Sequence, residues 1–183
     1  MRVIGGTYRG RRLRTLAGLS VRPTSDRLRE TLFNIISSRI ADSRFLDLCA
    51  GSGAVGIEAL SRGASHVTFV DSSRHASSVI QSNLDDLGIA ENVSVISRDA
   101  AAALRHLDTS EESFDIVFFD PPYASEIYDQ VLKRLGSARL VSSGGLVIVE
   151  HLAKTPPKLE SGMLSLRREL TQGESALAFY EPR

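Results

Sequence analysis

The chain has 183 residues, 42% of them hydrophobic and 24% charged. At roughly 100–200 residues per domain, that is one unit with enough apolar sequence to bury a sizeable core. Twenty-two Lys and Arg balance 22 Asp and Glu, and a net charge of zero argues against a uniformly basic nucleic-acid binder.

The zero is unevenly distributed. Residues 1–25 hold six Arg (Arg2, Arg9, Arg11, Arg12, Arg14 and Arg22) and no acid. Residues 26–183 therefore carry 16 basic and 22 acidic groups, a net of −6. Such an asymmetry points to a nucleic-acid-binding arm. No apolar run approaches the length of a membrane span, and the N-terminus lacks the apolar stretch of a secretory signal. The single Cys49 forms no internal disulfide or cysteine-based zinc site, and the four His show no metal-ligand spacing. A reducing, cytoplasmic compartment, no metal and no membrane are the expectations. A monomer is expected because no apolar patch stands out.

In chain order, Val3 to Leu13 reads as a glycine-turned β-ribbon. Pro23 and Thr24 or Asp26 open a helix whose apolar face is Leu28, Leu32, Ile35 or Ile36, and Ile40. Phe45–Cys49 is a buried strand ending in a glycine turn, and a helix follows over Val55–Arg62. Val67–Asp71 is the second strand. Ala76, Val79, Ile80, Leu84 and Leu87 recur at helical spacing, and Gly88 ends that helix. Val93–Ile96, Phe114–Phe119 and Leu146–Glu150 are further strands, the last after a Gly144-Gly145 turn. Ala100–Leu107 and Ile127–Leu135 are the helices between them. Leu164–Leu170 and Ala176–Tyr180 form an antiparallel hairpin around Thr171-Gln172-Gly173-Glu174. The alternation predicts an α/β fold: a doubly wound, mostly parallel, seven-stranded sheet closed by that hairpin. The division expected is a basic arm over residues 1–24 and one α/β domain over residues 25–183.

Asp47-Leu48-Cys49-Ala50-Gly51-Ser52-Gly53-Ala54-Val55-Gly56 lies between the first core strand and its helix. Gly51 and Gly53 allow a tight turn and close approach to a ligand. Asp71 ends the second strand, where a ribose-binding carboxylate sits in such folds. A dinucleotide site is one reading. Against it, a carboxylate at Asp47 would repel a pyrophosphate, whereas it suits an amino-acid ammonium or a bridging water. Asp99 stands just after the third strand, so three acids stand at successive strand ends beside a glycine loop.

Asp120-Pro121-Pro122-Tyr123 ends the fourth strand, at the edge where doubly wound sheets bind ligands. The two prolines stiffen the loop and remove two amide donors, leaving acceptors. An exocyclic amine presents two N–H groups, which the Asp120 carboxylate and the Pro121 carbonyl can accept. That aims the nitrogen lone pair at a methyl donor, while Tyr123 stacks on the base. A structural turn over the sheet edge is the competing reading.

These motifs together resemble the bacterial 16S ribosomal RNA guanine-N2 methyltransferase D family, within the class I S-adenosylmethionine-dependent methyltransferases. The resemblance is carried by Val3-Ile4-Gly5-Gly6, Arg9-Gly10-Arg11, Arg22 through Asn34, Asp47 through Ala64 and Asp120 through Tyr123. It implies S-adenosylmethionine as cofactor, held by Asp47, Ala50, Gly51, Ser52, Gly53, Asp71, Ser72, Asp99 and Ala100. It implies methylation of guanine N2 at position 966 of the small-subunit RNA, in an assembled or assembling subunit. Asp120, Pro121, Pro122 and Tyr123 are the implied target-base contacts. The second-strand acid is Asp71 where the family often has the longer Glu. Arg9, Arg11, Arg12, Arg14 and Arg22, with Arg27 on the first helix, are the candidate phosphate contacts. Arg27, Arg29 and Glu30 also have the spacing to pair among themselves.

An adenine-N6 methyltransferase would use the same amine chemistry, but no target-recognition insertion is present. A glutamine-N5 protein methyltransferase would leave the arginines without a partner. A non-catalytic RNA-binding assembly factor would not need Asp120. A nicotinamide enzyme is disfavoured by Asp47 and Asp-Pro-Pro-Tyr. Cys49 reads as a packed residue because no partner His is evident. His75 and His106 are expected on the surface, and His151 on the site rim.

Overall fold

A computed structural model describes residues 1–16, 25–122, 127–137 and 139–183. Among the described residues, five helices, α1 (Asp26–Ile35), α2 (Ala54–Ser61), α3 (Arg74–Leu87), α4 (Ala100–Thr109) and α5 (Ile127–Leu135), surround one sheet. Its strands are β1 (Arg44–Leu48), β2 (His66–Asp71), β3 (Val93–Ser97), β4 (Phe114–Phe119), β5 (Val141–Leu152), β6 (Glu160–Ser161), β7 (Leu164–Gln172) and β8 (Ser175–Pro182). Their spatial order is β3-β2-β1-β4-β5-β8-β7-β6. The first five are parallel, and β8, β7 and β6 continue antiparallel.

The sheet thus has eight strands, not the seven expected. The extra strand is β6, two residues at the edge and too short to carry a hydrophobic period. Gly144 and Gly145 form no turn before β5. They lie inside it, where the register with β4 shifts between Phe114 and Ile116, so the strand begins at Val141 and bulges.

Alternation within the strands sorts the core into two layers. Phe45, Val67, Phe69, Ile116, Phe118, Ile148 and Phe179 pack with apolar residues of α1, α2 and α3. Leu46, Val70, Val117, Phe119, Val147 and Val149 pack with α4 and α5 on the opposite face. Helix α1 is capped by the Ser25 hydroxyl, which accepts from Leu28 N at 3.1 Å. Pro23 and Thr24, expected at this start, lie outside the described residues. No helix among the described residues is long and apolar enough to cross a membrane.

Residues 1–16 do not stand away from the domain. Val3 and Leu13 are buried in the α1–α3 layer. The ribbon closes on itself through Val3 N to Arg11 O and Leu13 N to Met1 O, both 3.0 Å, and pairs as a strand only at the Arg2–Arg12 bridge. The expected boundary at residue 24 falls outside the described residues.

Candidate active site

The carboxyl ends of β1, β2 and β4 meet at the point where the chain order of the sheet reverses, the customary ligand crevice of such folds. Asp47, next to last in β1, is 1% exposed, and its Oδ2 accepts from Gly56 N at 2.8 Å in the first turn of α2. Burial pushes its carboxyl up to about 7, with the Asp71 charge adding to the effect and the Gly56 hydrogen bond opposing it. This acid therefore seats α2 on the sheet and sits directly beneath the glycine loop.

The loop turns through two left-handed residues, Gly51 and Gly53, at φ 56° and 77°. Its first residue, Cys49, is also left-handed at φ 65°, a conformation side-chain-bearing residues rarely adopt and one found at functional turns. Burial pushes the Cys49 thiol up, and the charges of Asp71, Asp120 and Asp47 push it further, so it is a packed thiol and no nucleophile. The same three charges locate the acids around one point.

Asp71 braces the loop. Its Oδ2 accepts from Gly51 N and its Oδ1 from Ser73 N, each at 2.8 Å. Each oxygen keeps a second lone pair for an additional donor. Ser72 lies exposed between them. Asp99 caps α4, accepting from Ala102 N at 2.8 Å, and is otherwise exposed; the adjacent Ala100 is buried. A Cβ placed on Gly51 would meet nothing within 4 Å, so open space lies over the loop. Gly56 has the opposite reason to lack a side chain: its Cβ would stand 2.3 Å from the Phe69 ring.

Asp120 continues the strand ladder, donating from its amide to Leu48 O at 3.2 Å. Pro121 is buried and Pro122 exposed. Tyr123 and Arg22 lie outside the described residues. Tyr128, which the sequence did not single out, packs edge-on against Phe119 with ring centroids 5.7 Å apart. Its hydroxyl lies 3.2 Å from Glu150 O and 3.5 Å from Pro121 O, tying α5 and the end of β5 to the proline loop. Two other buried residues also escaped the sequence reading. Asn83 donates to Ser52 O at 2.9 Å and to Arg14 O at 3.2 Å, joining the glycine loop to the ribbon. Glu58 accepts from Ile4 N and Gly5 N at 2.7 and 2.8 Å and pairs with Arg62 at 2.8 Å. A glutamate four residues before an arginine inside an otherwise apolar helix was the available signal.

The arginines divide into two groups. Arg2, Arg9, Arg12 and Arg27 are exposed, and their guanidinium groups make no ion pair among the described residues. Arg14 forms a two-bond pair with Asp86, 2.8 and 3.2 Å, and Arg11 donates to Asp86 O at 2.6 Å. Arg29 does not pair with Glu30. It is fully buried, and donates to Arg2 O at 2.6 Å and Asp26 Oδ1 at 3.0 Å, pinning the ribbon to α1. His75 and His106 are exposed as expected. His151 is no rim residue: it is 1% exposed, with Nδ1 2.8 Å from Leu152 O. It lies near the end of β5, where it pairs with Ala176 of β8 inside the sheet.

Known proteins agree with this architecture. Residues 1–181 match the family described as Conserved hypothetical protein 95. The Ribosomal RNA small subunit methyltransferase D of Escherichia coli is 35% identical over 181 residues, 99% of this chain and 89% of that protein. The protein of the same name from Haemophilus influenzae is 34% identical over 182 residues, covering 99% and 93%. The solved structure of yhhF from Escherichia coli superposes with a TM-score of 0.86 at 32% identity, covering 100% of this chain and 97% of that one. SMU.776, solved in complex with SAH, shares the fold at a TM-score of 0.70 and 13% identity, covering 83% of this chain and 48% of that one. A match along essentially the whole chain, with the glycine loop and Asp-Pro-Pro at the expected strand ends, means that the protein belongs to the small-subunit ribosomal RNA methyltransferase D family, within the class I S-adenosylmethionine-dependent methyltransferases.

Proposed function

We propose that the protein transfers a methyl group from S-adenosylmethionine to the exocyclic N2 of a guanine in 16S ribosomal RNA, at family position 966, in the bacterial cytoplasm. The assembled or assembling small subunit is the substrate, and the enzyme works as a monomer without a metal. The observation that carries this reading is the placement of Asp120. It lies on the β1 ladder through Leu48, the strand that leads into the glycine loop, so an amine acceptor and the cofactor loop open on one crevice.

The residues fit the cofactor. The space over Gly51 admits a ligand against bare backbone, and the braced Asp71 and exposed Asp99 offer acceptors for ribose hydroxyls and an adenine amine. Ala50, Ser52 and Ser72 complete the lining, the buried Asp47 and Ala100 support it from behind, and the acids around Cys49 suit a cationic ligand. The bound cofactor supplies an electrophilic methyl group on a positively charged sulfur.

The chain's own residues handle the amine. The Asp120 carboxylate and the Pro121 carbonyl accept its two N–H bonds, which turns the nitrogen lone pair outward. As the N–C bond forms and the S–C bond breaks, the nitrogen gains positive charge, which Asp120 stabilises. The surplus proton leaves toward Asp120 or water. Tyr128 positions the Pro121 carbonyl, Tyr123 stacks on the flipped base, and Pro122 stiffens the loop. Arg9, Arg12, Arg22 and Arg27 meet phosphates, and Arg11 and Arg14, which are held at Asp86, contribute less.

The test is direct. Small subunits lacking the modification are incubated with the enzyme and methyl-labelled S-adenosylmethionine, and the label is mapped by nuclease digestion. Label on N2 of one guanine is expected. Label on adenine, on protein, or nowhere overturns the proposal.

A further inference from the structure

A groove with a cavity of about 260 Å³ runs between α4 and α5, on the face of the sheet opposite the arginine ribbon. It is lined by Ala101, Arg105, Gln130, Lys133, Arg134 and Ser137, with Val131 at its floor. Among the described residues, three cations and no carboxylate line it. Asp108, beside it, engages Arg134 through Nη2 at 2.8 Å, which cross-links the two helices and spends that acid. Arg134 Nε is shielded from solvent and has no hydrogen-bond acceptor among the described residues. Arg105 and Lys133 are exposed and form no ion pair among the described residues. Two uncompensated cations and a shielded donor with no acceptor thus converge on one hollow. Hydrogen-bonding side chains at Gln130 and Ser137 stand ready beside them.

The position gives the hollow a meaning. Ala101 is in the first turn of α4, two residues after Asp99. Gln130 is in the first turn of α5, ten residues after Asp120. The groove therefore starts beside the crevice and leads away from it. From Gln130 to Ser137, at 1.5 Å per helical residue, it runs about 10 Å, long enough for one or two phosphates of a single strand. Its cations suit a phosphodiester: guanidinium forks grip phosphate oxygens, and an ammonium adds an unoriented charge. The exposed ribbon arginines lie on the α2–α3 side of the sheet. The target crevice is at the edge between these two faces.

We infer that the α4–α5 groove is a second phosphate-binding track, on which Arg105, Lys133 and Arg134 hold the RNA backbone flanking the target nucleotide, opposite the ribbon. The inference rests on the proposal that the substrate is RNA. Substrate is then gripped from both faces of the sheet, and the groove sets position, not sequence preference.

The experiment measures binding, not methylation. The Arg105→Ala/Lys133→Ala double variant spares Arg134, whose pair with Asp108 holds the helices together. Its affinity for deproteinised 16S RNA and for small subunits is measured by filter binding across a salt series. S-adenosylhomocysteine binding and the melting temperature, both expected to be unchanged, report that the fold and the cofactor site are intact. Wild-type protein should bind with a steep salt dependence. The variant should bind about tenfold more weakly at low salt, with a log–log slope shallower by about 1.5, as expected for the loss of two phosphate contacts. Lys133→Glu alone should weaken binding further than Lys133→Ala. Unchanged affinity and slope in the double variant, with wild type binding RNA, overturn the groove alone. Failure of wild type to bind either RNA overturns the groove together with the reading beneath it.

Discussion

Asp47 and Asp120 are both carboxylates at the ends of adjacent strands, yet their surroundings assign them different work. Asp47 is sealed under α2, and its carboxyl is raised to about 7. In the unfolded chain it titrates near 3.9. Between those values the folded protein holds the extra proton, so this residue's contribution to stability falls as pH rises from about 4 to about 7 and stays lost above. Asp47→Asn keeps an acceptor for Gly56 N and removes the titration. Relative to wild type, the variant should gain stability with rising pH, by up to ~4 kcal/mol for a gap of roughly three units. Urea unfolding at pH 5 and pH 8 reads this, and an equal offset at both pH values counts against it. Asp120 stands at the crevice with no such burial. Asp120→Ala should lower methyl transfer by about 10³-fold or more, the scale of losing an aligned electrostatic group. Calorimetric affinity for S-adenosylhomocysteine should stay within a few-fold of wild type. A variant that turns over normally would rule out the amine-holding role.

At the scale of elements, α2 does two jobs from one short segment. Its start receives Asp47 and forms the wall of the glycine loop; its last two turns carry Glu58 and Ser61, which hold the ribbon. Ser61 O accepts from Thr7 N at 2.7 Å, and Ser61 Oγ donates to Gly5 O at 2.5 Å. Eight helical residues span about 12 Å, so the ribbon tip around Arg9 lies at the end of α2 away from the loop. The Arg14 end lies near Ser52 through Asn83. Glu58 is the linchpin, with two backbone amides and Arg62 on one buried carboxylate and Arg29 Nε 3.9 Å away. Glu58→Ala should cost ~3–5 kcal/mol, because it leaves buried cations and amides without their partner. Hydrogen exchange should show the amides of Ile4 and Gly5 losing protection first. If those amides stay protected, the ribbon is held by Val3 and Leu13 instead.

For the molecule as a whole, charge is arranged by region. Residues 26–183 have a net charge of −6, and three of their acids, Asp47, Asp71 and Asp120, gather around Cys49 at the glycine loop. The arginines of residues 1–16 lie on one face, with Arg105 and Lys133 across the sheet. Changing Arg9 and Arg12, both exposed and without ion pairs among the described residues, to Ala should weaken small-subunit binding. It should also make the log–log salt slope shallower by about 1.5. The same change at Arg14 should matter less, because its guanidinium is committed to Asp86. An Arg9/Arg12 variant with unaltered salt dependence would mean that the ribbon does not touch phosphate.

The amino-acid sequence by itself determined the order of elements, the parallel sheet and the two motif loops. Hydrophobic period and glycine placement are local properties: β4 and α5 fall on the residues their periodicity marks, and Gly88 ends α3 in the left-handed conformation it alone adopts freely. The strand-end positions of Asp47, Asp71, Asp99 and Asp120 followed from the same periodicity. Only the tertiary structure decided which of those acids is sealed and which stands at the crevice, since burial depends on what α2 and the loops cover. It also decided that Arg29 is a buried anchor and Arg9 a free cation, a distinction absent from a run of arginines. Tyr128, Asn83, Glu58 and the α4–α5 groove were invisible for the same reason: each acts across contacts between segments far apart in the chain, and no local pattern records which distant residues meet.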